Sequence, residues 1–247
     1  MPRIYLSPST QEYNPYVTGN GSEEYFMNLV ADAMEPYLLA NGIQFSQNTP
    51  DMTAASSIRQ ANRGDYDFYL ALHSNASGPG SQGQSRGVIA FYYPTSANGR
   101  RGAEIIARNM QEIYPLPERV VTRPTTTLGE VRQPRAPAVL VEIGYHDNEA
   151  DARWIESHID AIGQNLAMSM AEYFGLPFTY PGPSQPGVIV TESGGPVNLR
   201  AEPSVTGRVL TRIPSGETVT VFGQYRGWYV VLYGDTLGYV SAPYVQI

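Results

Sequence analysis

Chemistry in this chain has to come from imidazoles, carboxylates, amides and hydroxyls, because its 247 residues include three histidines and no cysteine. Disulfides and thiolate metal sites are thereby excluded. Three chemistry-bearing residues stand at the ends of expected elements: Glu23 at the head of a helix, His73 closing the strand DFYLALH, and Glu142 closing AVLVE. Strand carboxyl ends are where sites gather in α/β sheets. His73 leads into the polar loop SNASGPGSQGQ, which turns its ring toward a cleft instead of a core. Glu142 follows four apolar residues, where an unpaired carboxylate is costly to bury.

The elements that must position these groups alternate. Strand-like runs at Arg3–Leu6, Phe68–Leu72, Gly87–Tyr93 and Ala138–Ile143 are interleaved with helical stretches at Glu23–Ala40, Gly99–Ile113 and Glu149–Phe174, which predicts an α/β layer architecture. In the first helix Glu23, Met27, Val30, Met34 and Leu38 share one face, and Ser22 is placed to cap it, so a carboxylate heads the buried stripe. His158, inside WIESHIDAIGQ, reads as an exposed helical residue. Pro177 to Gly187 contains four prolines and two glycines and reads as a linker. Beyond it the pattern changes to short β-rich runs at Val188–Val190, Val197–Arg200, Val209–Ile213, Thr218–Gln224, Trp228–Tyr233 and Leu237–Val240, as in a small all-β barrel. The expected organisation is a catalytic domain over 1–176, a linker over 177–186 and a small domain over 187–247.

Five segments in order, IYLSPS, GSEEYFMNLVADAM, RQAN, LALHSNAS and PAVLVEIGYHDN, resemble the autolysin-type zinc N-acetylmuramoyl-L-alanine amidases, over almost all of residues 1–175. The resemblance implies a mixed-sheet α/β/α amidase domain. In that family a His on the first turn, a Glu at the first helix and a His in the HxN segment bind one Zn²⁺, and a Glu ending the last strand is the catalytic base. The implied matches are Glu23 and His73 as zinc ligands and Glu142 as base; the register of Val30, Ala31, Met34, Leu38 and Gly42 selects Glu23 over Glu24. Where the family reads Asp-Pro-Gly-His-Gly this chain has Ser7-Pro8-Ser9-Thr10-Gln11, so the first histidine is missing. Two replacements stand open. His146 offers an imidazole, the better ligand chemically, whereas Gln11 lies next to the lost position, in an SPS-x-Q turn followed by Asn14 that resembles a divergent branch of the family. Arg59, Asn62, Asn75 and Asn148 match other family positions and are read as turn and cap residues.

Residues 187–247 resemble the bacterial SH3-type domains attached to wall hydrolases, through VNLRAEPS, RIPSGETVTV and GWYVVLYGDTLGYVS. Four arginines (200, 208, 212 and 226) balance four acids there, so the whole net charge of −7 lies before it and Coulomb steering to an anionic wall is not its mechanism. Tyr225, Trp228 and Tyr239 are either aromatic edges for stem peptides or core. With lysine absent and no basic stripe, nucleic acid is not an expected partner. No run is long and apolar enough for a membrane span, and MPRIYLSP enters a strand without a signal peptide. The implied partner is peptidoglycan and the implied place is the cell wall outside the cell, reached after removal of a leader or by a phage- or spore-associated route. The alternatives are a wall-binding pseudoenzyme without a complete zinc site, and a zinc peptidase cutting within the stem peptide.

Overall fold

A computed structural model describes residues 1–225 and 227–247; Arg226 and the side chain of Tyr225 lie outside the described residues. The chain forms two compact units, Arg3–Met34 with Phe45–Tyr173, and Met1–Pro2 with Glu35–Gln44 and Phe174–Ile247.

Through the first part of the chain the elements are β1 (Arg3–Pro8), α1 (Glu23–Ala40), β2 (Gln44–Gln47), α2 (Ala54–Ala61), β3 (Phe68–Asn75), β4 (Val88–Tyr92), α3 (Ala97–Gln111), β5 (Val120–Pro124), α4 (Gly129–Arg132), β6 (Ala138–Tyr145), α5 (Glu149–Ser157) and α6 (Ile159–Tyr173). The strands make one mixed sheet in the order β2-β1-β3-β6-β4-β5. β1 with β3, β3 with β6 and β4 with β5 run parallel, while β4 runs antiparallel to β6. On one face Tyr5, Tyr69, Ala71, Ala138 and Leu140 pack with Ile58 of α2 and Val131 of α4. On the other, α3 lies against β4, β5 and β6 and packs on α6. α6 also meets α1 closely: a Cβ at Gly163 would stand 2.7 Å from that of Ala33, so only glycine permits the approach. The stripe Met27, Val30, Met34 and Leu38 of α1 is fully buried, as its 3.6-residue period requires.

Several expected boundaries shift for local reasons. β3 and β6 run on to Asn75 and Tyr145, so His73 and Glu142 sit within the ladder, directly paired with each other. The single expected helix 149–174 is broken at His158, whose Nδ1 takes the carbonyl of Trp154 at 2.8 Å and ends α5; the residue is exposed, as expected. Asn148 caps α5 by accepting from the amides of Ala150 and Asp151, and Asn62 accepts from Arg135 N, so both serve caps and turns.

The C-terminal strands are β7 (Gln185–Ile189), β8 (Val197–Arg200), β9 (Val209–Ile213), β10 (Thr218–Tyr225), β11 (Trp228–Tyr233), β12 (Thr236–Ser241) and β13 (Val245–Gln246). They form an antiparallel sheet in the order β13-β7-β10-β11-β12-β8-β9 around Ile189, Leu199, Ile213, Val231 and Val240. β7 starts at Gln185, inside the Pro-rich stretch expected to be linker, and Thr179 of that stretch is held by the Asn41 side chain through bonds of 2.7 and 2.8 Å. Tyr239 is core, 4% exposed, and Trp228 is partly buried against it. Among the described residues no helix is long and apolar enough to cross a membrane.

Candidate active site

The cleft at the carboxyl end of β3 and β6 is built from a turn, a helix start and a short helix. After β1, Ser9 N binds Leu72 O, and the chain turns so that Asn14 O receives the Glu23 amide at 2.9 Å. Ser22 Oγ accepts from Tyr25 N at 3.2 Å, the cap expected of it. Glu23 is thereby fixed at the first position of α1, where the helix dipole favours a negative charge, and it is 1% exposed. The Asn14 amide donates to Glu23 Oε2 at 2.7 Å, so one asparagine clasps both backbone and side chain of Glu23.

His73 lies between two carboxylates, its Nδ1 2.8 Å from Glu23 Oε1 and its Nε2 2.9 Å from Glu130 Oε2. Burial alone would lower its pKa; the hydrogen bonds to Glu130 and Glu23 outweigh burial and raise it to about 10, so the ring is an imidazolium donating both N–H groups. Burial likewise works against ionisation of Glu23 and Glu130, yet His73 holds both below the usual carboxylate range, helped by Asn14 and Ser9 at Glu23 and by Ser7 and Tyr69 at Glu130. Glu130 Oε1 receives the Ser7 and Tyr69 hydroxyls at 2.6 and 2.7 Å.

Glu142 is the opposite case. Its Oε2 is buried and has no hydrogen-bond partner among the described residues. Burial, with the charges of Glu23 and Glu130 adding and that of His73 subtracting, pushes its pKa up to about 7. A carboxyl poised there near an open cleft is suited to accept and return a proton. The cleft, about 460 Å³, is lined by Gln11, Tyr13, Met52, His73, Glu130 and Glu142, among others.

Gln11 joins the Glu23–His73 pair. Its Nε2 is 3.4 Å from Glu23 Oε1 and 3.3 Å from His73 Nδ1, while Oε1 accepts from Tyr13 Oη at 3.0 Å and Asn14 Nδ2 at 3.3 Å. His146 stands apart. Its Nδ1 meets Ser74 O at 2.8 Å, its ring stacks on Tyr16 with centroids 5.8 Å apart, and among the described residues no hydrogen bond links it to Gln11, Glu23 or His73. The structure therefore brings together Gln11, Glu23, His73 and Glu142, and not His146. Glu130 was not singled out from sequence; the available signal is an acid set between Leu128 and Val131 just ahead of the AVLVE strand.

The donor set can be tested for a metal. Among the described residues no group of three or more His, Cys, Asp or Glu is spaced to hold an ion; Glu130 lies on the far nitrogen of His73. Counting an amide as third donor, the ends of Gln11, Glu23 and His73 form a triangle with edges of 2.8, 3.3 and 3.4 Å. A tetrahedral zinc with bonds of about 2.0–2.1 Å separates its ligands by about 3.3–3.4 Å. The triangle is close to the size a zinc site needs, but its Gln11 corner is Nε2; to present Oε1 the amide must turn over and give up the bonds from Tyr13 and Asn14.

A second concavity, about 790 Å³, lies in the C-terminal sheet and is lined by Asn198, Arg200, Trp228 and Tyr244 among others.

Residues 4–172 match the family model described as N-acetylmuramoyl-L-alanine amidase, and residues 195–246 that described as bacterial SH3 domain. The N-acetylmuramoyl-L-alanine amidase CwlM of Bacillus licheniformis is 25% identical over 185 residues, 71% of this chain and 70% of that one. The catalytic domain of CwlV, an amidase of Bacillus (Paenibacillus) polymyxa var. colistinus, superposes with a TM-score of 0.62 at 18% identity, covering 72% of this chain and 100% of that one. AmiC2 of Nostoc punctiforme does so with a TM-score of 0.62 at 15% identity, covering 70% and 97%. These solved structures share the fold of the α/β part.

Proposed function

The chain belongs to the N-acetylmuramoyl-L-alanine amidase family, and from that premise we propose that it hydrolyses the amide between N-acetylmuramic acid and L-alanine in peptidoglycan at the cell wall, with Gln11, Glu23 and His73 holding a zinc ion and Glu142 as base. The observation that carries this reading is the pairing of Glu142, whose carboxyl is raised to about 7 and whose Oε2 is unpartnered, with the Gln11–Glu23–His73 triangle one strand away. When bound, zinc supplies Lewis-acid polarisation of the scissile carbonyl and of water. Glu142 takes the proton of the attacking water on its unpartnered oxygen and delivers it to the leaving amine of L-alanine, whose departure as an anion is otherwise prohibitive. Asn14 fixes Glu23, and Glu130 fixes the orientation of the His73 ring. The bacterial SH3 domain supplies a second attachment to the polymer and raises the local concentration of the hydrolase.

The test is elemental analysis of the purified chain and of its Gln11→Ala and His146→Ala variants, with release of N-terminal L-alanine from peptidoglycan followed alongside. The expected result is one zinc per chain, retained in His146→Ala and lost in Gln11→Ala, with release of the alanine amine. Metal loss in His146→Ala alone would overturn the ligand assignment. No metal and no release after zinc is supplied would leave a wall-binding pseudoenzyme, and cleavage only between stem-peptide residues would make the chain a peptidase.

A further inference from the structure

A further depression, of about 320 Å³, opens on the sheet face that carries Glu142, and Arg86, Ile89, Arg119, Arg123 and Tyr145 line it. The register fixes its place. Ile89 of β4 pairs with Glu142 on one side and with Val121 of β5 on the other, and Arg123 is two residues beyond Val121 and paired with Phe91. Directly paired residues and alternate residues of a strand share a face, so Arg123 projects on the same side as Glu142.

The three guanidiniums differ in their bonding. Arg86 is committed, its Nε 2.8 Å from Asp151 Oδ1, and Asp151 is fully buried. Arg119 and Arg123 are exposed and make no ion pair among the described residues. The depression is also built by the backbone. Gly87 has φ +130, and a Cβ there would lie 2.5 Å from Arg119 O, so only glycine lets the Arg86 segment close against Arg119. Two unpaired cations beside a third in a chain of net charge −7 repel one another, and an anion that fits the fork of a guanidinium relieves that repulsion. Tyr145 senses both ends of this surface: burial raises its phenol, Arg123 lowers it and Glu142 raises it.

We propose that Arg119 and Arg123 form a carboxylate subsite for the substrate's peptide, gripping an acidic group on its second residue; this rests on the hydrolase reading given above. Two strand spacings separate Glu142 from β5, roughly 9.5 Å, and an extended peptide covers about 3.3–3.6 Å per residue. A peptide leaving the scissile amide across β4 therefore brings its second or third residue over the arginines.

The experiment uses two soluble muropeptides identical except that the second peptide residue carries either a free carboxylate or a carboxamide, offered to the zinc-supplied full chain and to the double variant Arg119→Gln/Arg123→Gln. The wild-type chain is expected to favour the carboxylate about tenfold or more in kcat/KM, expressed in KM, and the double variant to discriminate less than about twofold with kcat unchanged. Equal treatment of the two peptides by the wild-type chain, or discrimination kept in the double variant, would overturn the proposal. Calorimetric titration of both peptides into the Glu142→Gln variant, with and without the arginine changes, separates this outcome from failure of the hydrolase reading. If the wild-type chain cleaves neither peptide, binding that requires the carboxylate and is lost with the arginines upholds the subsite, and indifferent binding or none refutes it.

Discussion

Replacing Glu142 by glutamine should stabilise the metal-free protein while abolishing its base. The buried carboxyl is displaced from the ordinary 4.5 to about 7, a difference equivalent to about 3 kcal/mol. Between those values the folded chain keeps a proton that the unfolded chain has released. The folded state binds more protons there, so this group's contribution falls as pH rises through the window and levels off above 7. An uncharged isostere removes the penalty. The expected gain for Glu142→Gln is about 1 kcal/mol at pH 5, where most of the penalty is absent, and about 3 kcal/mol at pH 8, where all but a little is present. Urea unfolding of the chelator-treated wild-type chain and variant at the two pH values reads this difference directly. His73, Glu23 and Glu130 titrate in both proteins and largely cancel. A gain of equal size at both pH values, or a loss at both, would refute the claim that an unpaired ionised carboxylate is what the fold tolerates at this position. Zinc should shrink the pH dependence, because a nearby cation favours the ionised form.

Glu130→Gln should lower the His73 pKa from about 10 toward its ordinary value and weaken zinc retention about 10- to 100-fold, read by imidazole NMR titration of the metal-free chain and by competition with a chelator. The stability that His73 contributes is full below its unfolded pKa of 6.5 and lost as pH rises toward 10, so the variant should lose most of its stability difference from wild type over that range. In the C-terminal domain Tyr244, 44% exposed on the rim of the 790 Å³ concavity, should matter for attachment alone: Tyr244→Ala is expected to reduce sedimentation with purified walls about 2- to 10-fold and leave hydrolysis of a soluble muropeptide unchanged.

The residues legible in the sequence were those whose chemistry contradicts their apolar surroundings. Glu142 after AVLV and His73 after FYLAL announce themselves in this way, and Glu23 is marked by heading a buried helical stripe whose bounds, Glu23–Ala40, the structure reproduces. The elements that escaped are short or lightly buried: α2 contributes only Ser57, Ile58 and Ala61 to the interior, and β5 is an edge strand that ends in exposed Arg123 and Pro124. Glu130 escaped because its partners, Ser7, Tyr69 and His73, lie 57 or more residues away, and no local pattern reports such a contact. Between Gln11 and His146 the sequence left an even choice. In the structure Asn14 draws Gln11 and Glu23 together, whereas His146 Nδ1 meets Ser74 O, contacts made across turns that no local pattern reports.

On the proposed zinc reading, the two departures at this site compensate each other. An amide oxygen in place of an imidazole is a weaker, neutral donor and should bind the ion less firmly. Glu130, buried and anchored by two hydroxyls, sits on the remote nitrogen of the one histidine left, where a carboxylate raises the donor strength of the ring and fixes its tautomer. The same carboxylate adds to the negative potential that keeps Glu142 protonated in the metal-free chain. A cation entering the Gln11–Glu23–His73 triangle would displace the His73 proton and relieve the repulsion among Glu23, Glu130 and Glu142. Loading the site and arming the base are therefore coupled through one imidazole, and a change at Glu130 should be felt in both.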